Sequence, residues 1–263
     1  MTEEALENAA AGGIEETIAS STLGIVCGSG EDKWRGIGTG TLIRWKNQHL
    51  ILTAEHVVAD TVPEDLRFFL RQDAPLEWVD RTTLQGLPGM PTDALRPFTE
   101  IHLGPLNTDA DMDLAAASVG AGMEQEHPVR FHELQPDGRT PAVDATTIVM
   151  GFPHDMSRVT ERNERVVFPY VEWSQVAPPR TGLKDFEENL HFLAPYRLTE
   201  IYPDADPHGL SGSAMWSRRG DTPSVWHPNV DIAGVTVAWY GNPRLLMMVR
   251  RECVEAFLAT HYG

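Results

Sequence analysis

A serine set among small residues, His208-Gly209-Leu210-Ser211-Gly212-Ser213-Ala214, is the part of this chain best equipped for chemistry. Small neighbours let backbone amides crowd a reacting carbonyl, and a glycine two residues before a serine can turn its N–H inward with no side chain in the way. A neutral hydroxyl is a poor nucleophile. It needs an imidazole to take its proton and a carboxylate to hold that imidazole in one tautomer. Both lie upstream. Leu50-Ile51-Leu52-Thr53-Ala54-Glu55-His56-Val57 reads as an apolar strand that delivers His56 at its end, and Asp111-Met112-Asp113-Leu114-Ala115 sets a carboxylate ahead of a further apolar run. His56, Asp113 and Ser211 thus follow one another at separations of 57 and 98 residues, and the chemistry they could do together is acyl transfer.

Taken singly, each element has a plainer reading. A Gly-x-Ser-Gly-Ser string is a common turn, an aspartate ahead of a strand is usually a turn former, and a histidine after a strand is usually a surface group. Order and neighbours together carry the functional reading. Asp109, Asp111 and Asp113 alternate, which on a strand would put all three on one face; Asp113 is preferred because Leu114-Ala115-Ala116 continues directly into an apolar strand. A calcium loop is rejected, since its sixth and twelfth positions would be Leu114 and Gly120 where glycine and glutamate are required. The α/β-hydrolase elbow Gly-x-Ser-x-Gly lacks its last glycine here, and that fold would need Asp231 and His261 as partners after the serine.

The elements that must position these groups read as strands. In the first half they are Gly24 to Cys27, Gly38 to Trp45, Leu50 to Thr53, Leu66 to Arg71 and Leu114 to Val119, the last reached through a Pro/Gly-rich connection. In the second half they are Thr146 to Gly151, Arg165 to Trp173, Phe192 to Leu198, Ala214 to Ser217, Ile232 to Trp239 and Leu245 to Val249. Ahead of them, residues 1–20 suggest a short helix with Thr2 as N-cap and Gly12-Gly13 as its stop. Glycines and prolines cluster between Gly120 and Pro141, which marks a boundary.

The Thr53-Ala54-Glu55-His56, Asp113-Leu114-Ala115 and Gly209-Leu210-Ser211-Gly212-Ser213 segments, with the Gly151-Phe152-Pro153 strand end, resemble the chymotrypsin-like (trypsin-like) serine peptidases, of a bacterial, intracellular kind. The resemblance implies an all-β fold of two six-stranded antiparallel β-barrels, with a short N-terminal helix and a closing helix from Arg250 to Tyr262. It divides the chain into a helical extension (1–20), a first barrel carrying His56 and Asp113 (21–130) and a second barrel carrying Ser211 (131–263). It makes His56 the general base, Asp113 its orienting carboxylate and Ser211 the nucleophile, with Gly209 and Ser211 amides as the oxyanion hole. A substrate pocket is implied between Ala205-Asp206-Pro207-His208 and Thr236-Val237-Ala238-Trp239, where Asp204 or Asp206 would draw Arg or Lys. Such a reaction needs neither metal nor organic cofactor. Two positions depart from the family pattern. Leu210 stands where secreted enzymes carry the aspartate that pairs with a newly cut N-terminus, which excludes activation by that ion pair, and Glu55 replaces a small residue beside His56.

Composition narrows the setting. Thirty-eight acidic against 21 basic residues give a net charge of −17, which disfavours nucleic acid and anionic membranes as partners. No apolar run reaches a membrane span and no secretory leader is visible, and two cysteines, Cys27 and Cys253, are too few for the staples of secreted peptidases, so a cytoplasmic location is expected. The expected partner is a polypeptide substrate, with activity gated by a regulatory protein or by narrow specificity. The alternative is a catalytically idle relative of the same fold that binds peptides.

Overall fold

The computed structural model describes residues 3–28, 34–59, 61–62, 65–70, 101–136, 138–153, 157–159, 165–167, 170–197, 207–218 and 229–263. A helix, α1 (Glu3–Ser20), leads into β1 (Thr22–Gly28), β2 (Trp34–Trp45) and β3 (Gln48–Ala54), a one-turn helix α2 (Glu55–Val58), then β4 (Leu66–Leu70), β5 (Leu103–Asp109) and β6 (Leu114–Val119). A second short helix, α3 (Met123–Glu126), and β7 (His132–Glu133) follow. Next come β8 (Thr146–Gly151), β9 (Ser157–Val159), β10 (Arg165–Val167), β11 (Tyr170–Gln175), β12 (His191–Pro195), β13 (Ala214–Arg218), β14 (Val230–Tyr240), β15 (Leu245–Arg250) and the closing helix α4 (Arg251–Tyr262).

Two curled antiparallel sheets of six strands make the body, in the orders β4-β1-β2-β3-β6-β5 and β11-β8-β13-β14-β15-β12. β7 adds a parallel rung to β2, and β9 and β10 form a separate hairpin. Side chains alternate between the two faces of a strand, and here both faces are dry. Leu42, Ile51 and Ala115 enter a core with Leu23, Ile25 and Phe68, while their neighbours Ile43, Leu50, Leu52, Leu114 and Ala116 join a larger core shared with Ile148, Trp216, Val235 and Val249 of the second sheet. Val149, Met215, Leu246 and Met248 fill the second sheet's own interior. That double burial is why these strands read as continuous apolar runs instead of alternating ones.

Three readings needed correction. α1 does not stop at Gly12-Gly13; it runs through both to Ser20. Each glycine costs about 1 kcal/mol in a helix, but Ile14 and Ile18, 4% and 0% exposed, return roughly 1.5–3 kcal/mol each on burial, so tertiary packing wins. The first sheet holds a strand missed in sequence, β5, whose Gly104-Pro105 dipeptide spoils any alternation. It is tolerated because β5 is a sheet edge among the described residues and the ladder skips between Leu103 and Leu106. The single strand expected over Arg165 to Trp173 is two, β10 and β11, in different sheets. Arg71 and Thr2 lie outside the described residues.

Both long helices tie the two sheets together. In α1, Glu15 accepts a hydrogen bond from Trp173 Nε1 of β11 (2.8 Å), while the Ser20 and Ser21 carbonyls accept from Arg130 N (2.9 Å) and Leu42 N (2.8 Å). In α4, Tyr262 OH donates to Ala116 O of β6 (2.7 Å). At the start of α4, Arg251 is fully buried. Its guanidinium reaches Asp231 Oδ1 of β14 (3.4 Å), Glu255 Oε1 (2.7 Å), Ile232 O (3.1 Å) and the Gln135 carbonyl, and Asp231 also meets His132 Nε2 of β7 at 3.1 Å. Breaking a buried ion pair from one side strands the partner's charge. Arg251→Ala is therefore expected to lower the unfolding free energy by about 3–5 kcal/mol, read as a fall in the urea midpoint. Arg251→Lys should recover only part, because one ammonium cannot serve that fork of acceptors; a loss below about 1 kcal/mol for the alanine variant would contradict the buried-pair account.

Candidate active site

β3 ends at Ala54, and His56 sits one residue into α2 rather than on the strand itself. A helix start leaves amides without partners, and Ala54 has no side chain to cap them. Asp113 does so from the turn between β5 and β6. Its carbonyl accepts from Glu55 N (3.1 Å) and its Oδ1 from His56 N (3.0 Å). Its Oδ2 lies 2.7 Å from His56 Nδ1. A carboxylate offers only lone pairs, so Nδ1 carries the hydrogen and Nε2 is left with a free pair, the tautomer a general base needs.

The three alternating aspartates do not share a strand face. β5 ends at Asp109 and β6 starts at Leu114, paired with it, and the residues between turn the hairpin. Asp109 Oδ1 is spent on Met112 N (3.0 Å), while Asp113 adopts φ 53°, a left-handed conformation that aspartate tolerates better than most residues. That kink, at the start of β6, aims its carboxylate at α2. The His56 pKa is raised above its ordinary value of 6.5, first by the Asp113 hydrogen bond and further by the charges of Asp113 and Glu55, with partial burial opposing.

Ser211 lies half-buried in a turn closed by Leu210 N to Pro207 O (2.9 Å) and Ser213 N to Leu210 O (2.9 Å). Two glycines with positive φ, Gly209 (100°) and Gly212 (85°), give the turn its shape. Gly212 is wedged against the end of β3. A methyl group there would overlap the Thr39 carbonyl and Thr53 Oγ1 and come within 2.9 Å of Ala54 N. Thr39 N also donates to Ser211 O (2.8 Å), and Gly212 N to Thr236 O (2.7 Å). The turn from the second sheet is thus docked two residues from His56. Of its two serines, Ser213 is buried with Oγ bonded to Leu210 O (2.6 Å) and Thr236 Oγ1 (3.2 Å). Among the described residues, Ser211 Oγ makes no hydrogen bond, nor do the Gly209 and Ser211 amides.

His56 and Asp113 are therefore brought into contact and the Ser211 turn is brought to their strand, without a hydrogen bond from Ser211 to His56. The pocket candidates separate. Thr236 and Val237 are buried, and Thr236 braces the serine turn through its N, O and Oγ1. Ala238 and Trp239 are partly exposed and His208 is exposed. Ala205, Asp206 and Asp204 lie outside the described residues. β13 pairs with β14 only as far as Val235, so Val237 to Tyr240 have no strand partner on that side among the described residues. Sequence reasoning missed Thr39 and Thr53, fully or almost fully buried polar residues at the docking point; a threonine flanked by Gly38 and Gly40 was the available signal.

No protein-family model matches the chain, and no curated protein matches it in sequence. Solved structures do match in shape. A serine endoprotease from Yersinia pestis aligns at TM-score 0.56 and 15% identity over 94% of this chain and 65% of that one, so the chain spans just under two thirds of that protein. The chain has the chymotrypsin-like serine protease fold. The Rv3671c protease of M. tuberculosis in its active form aligns at 0.53 and 13% over 95% of this chain and 84% of that one. An inactivated protease paralogue of the scabies mite aligns at 0.53 and 14% over 93% and 95%. No helix among the described residues is long and apolar enough to cross a membrane.

In this protease fold a raised histidine pKa means that the His56–Asp113 pair stabilises the folded chain in full below about pH 6.5, and that this contribution fades as pH rises through the higher folded value. Asp113→Asn should therefore cost more in melting temperature near pH 5.5 than near pH 8.5, measured by scanning calorimetry at the two values. An equal or larger loss at the alkaline value would contradict that linkage.

Proposed function

We propose that this chain is a serine endopeptidase in which His56 is the general base, Asp113 its orienting carboxylate and Ser211 the nucleophile. The observation that carries the reading is the His56–Asp113 contact, 2.7 Å at Nδ1 with the second carboxylate oxygen on the His56 amide, standing two residues from the strand end that holds the Ser211 turn. His56 Nε2 takes the Ser211 proton as Oγ attacks the scissile carbonyl, and the Gly209 and Ser211 amides receive the oxyanion. His56 then returns the proton to the leaving amine, and water, activated the same way, frees the acyl group. The substrate is an extended polypeptide pairing with Val237–Tyr240, which include Ala238 and Trp239 and have no strand partner on the β13 side among the described residues, with His208 as a further contact. A serine–histidine hydrogen bond that closes only with substrate in place suits this reading, since catalytic hydrogen bonds commonly tighten in the complex. Narrow specificity or a partner protein restrains the enzyme, in keeping with a reducing, intracellular setting.

One observation favours a second reading, a peptide-binding module without catalysis: the Ser211 hydroxyl is unengaged among the described residues. A fluorophosphonate, which is attacked only by an activated serine, separates the two. Intact mass should show one adduct on the wild type and none on Ser211→Ala, with the labelling rate rising with pH through a midpoint above 6.5 as His56 loses its proton. Asp113→Asn should label about four orders of magnitude more slowly. A wild-type chain that takes no label while still binding extended peptides would support the module and overturn the peptidase.

A further inference from the structure

Successive side chains of β14 serve different interiors. Ala238 and Tyr240 pack against the core that the two sheets share, and Trp239 between them packs against the second sheet's own interior, the alternation a strand imposes. Leu210, the residue before Ser211, enters that same interior from the serine turn. The serine turn and the end of β14 thus each direct a side chain, Leu210 and Trp239, to one side. The opposite side is taken by the first sheet, against which the turn is docked through Gly212. A pocket beside Ser211 therefore has to open on the side that Trp239 occupies.

Trp239 is well seated there. It stands opposite Leu246 of β15, and residues directly opposite on one sheet face have Cβ atoms about 5 Å apart. Just past the strand, Gly241 leaves room for the indole: a Cβ on that glycine would meet Trp239 Cη2 at 3.5 Å and Cζ3 at 3.6 Å, so the six-membered ring lies over it. Behind the indole the space is full. Leu210, Met215, Leu246 and Met248 are all buried, whereas Trp239 is partly exposed. Interiors packed in this way leave no void that would receive a second large side chain, so the indole is the surface at which an entering group stops. Glu172 of β11, which alternation puts on the same face as Tyr170 of that interior, already accepts from Tyr170 OH (2.6 Å) and Arg197 N (2.8 Å).

We propose that Trp239 is a specificity-determining residue: its indole, backed by Leu246, closes the space beside Ser211 to all but small side chains, so that the polypeptide is cut after glycine, alanine or serine and not after an aromatic or a long basic residue. The inference rests on the peptidase reading of Ser211 and names the substrate class for it. Arg or Lys, which the family resemblance would have Asp204 or Asp206 attract, is excluded on the same ground, and Arg is therefore one arm of the test.

The test uses peptidyl diphenyl phosphonates, which modify an activated serine once their side chain has entered the pocket beside it. Three probes share an Ala-Ala-Pro leader and carry the side chain of Ala, Phe or Arg on the carbon bonded to phosphorus. Each is applied to the full chain as wild type, Trp239→Ala and Trp239→Val, with intact mass as the readout. Wild type should take the Ala probe at least about 100-fold faster than the Phe or Arg probe, within the discrimination that a misfitting side chain commands. In Trp239→Ala the Phe-to-Ala rate ratio should rise by about 100-fold, and in Trp239→Val, whose β-branched side chain suits a strand and fills part of the space, by about tenfold. A ratio taken within one protein is unmoved by a smaller folded fraction, which separates selectivity from destabilisation. A wild type that takes the Phe or Arg probe as fast as the Ala probe, a ratio unchanged in both variants, or phosphonates that fail on a wild type labelled by fluorophosphonate would overturn the proposal. If fluorophosphonate leaves the wild type unlabelled, the peptidase reading is what fails, and calorimetric binding of acetyl-Ala-Ala-Pro-Ala and acetyl-Ala-Ala-Pro-Phe then decides. Tighter binding of the first that reverses in Trp239→Ala supports the small pocket; equal affinities, an unreversed preference or no binding overturns it.

Discussion

The arrangement depends on a backbone contact with no spare room: the Ser211 turn pressed at Gly212 against the middle of β2 and the end of β3. His56 and Ser211 are 155 residues apart in the chain, so no local preference can place them together. Only docked sheets can, and a docking surface made of side chains would flex by the width of a rotamer. Here the contact is carbonyl, amide and threonine hydroxyl against a glycine that cannot take a methyl, which sets the spacing at backbone precision. The large shared core and the two tying helices supply the cohesion, while the Gly212 contact supplies the register.

A similar economy governs Asp113 and His56. Asp113 answers two needs at once, capping the amides of α2 and orienting the His56 ring. Because the capping bonds fix α2 to the β5–β6 turn, the ring cannot leave its carboxylate without also exposing amides at a helix start. The ion pair is partly open to water, His56 at 47% and Asp113 at 30% side-chain exposure, so Coulomb attraction alone would be weak and screened. Geometry, enforced by the backbone bonds, does what charge at that exposure could not.

How much of this was legible depended on whether a feature was written locally. Strands such as β3, β6, β8 and β13 announce themselves, since burial on both faces leaves an unbroken apolar run between turn formers. β5 was illegible because its pairing comes from its neighbour's ladder and not from its own Gly104-Pro105 pattern. The extent of α1 was hidden for the same reason, its glycines outweighed by a groove that only the folded sheets create. At the site, the identities of His56, Asp113 and Ser211 stood out through their neighbours. The left-handed kink at Asp113, the bracing by Thr236 and the reach of Thr39 into the serine turn are contacts across 23 to 170 residues, and no spacing rule encodes them.

The Ser211 hydroxyl, unengaged among the described residues, therefore weighs less than the parts already built. Turning a serine about χ1 is a move between staggered wells, costing on the order of 1 kcal/mol, within what any bound ligand can supply. A left-handed aspartate and a turn held by two glycines at positive φ are different: they are set during folding, each at a conformational cost that no hydrophobic burial at the same residue repays. Strain of this kind persists where surrounding structure over-determines it, and it concentrates at functional sites. Here it falls at Asp113, whose left-handed backbone aims a carboxylate at an imidazole, while at Gly209 and Gly212 the missing Cβ lets the turn take positive φ without it.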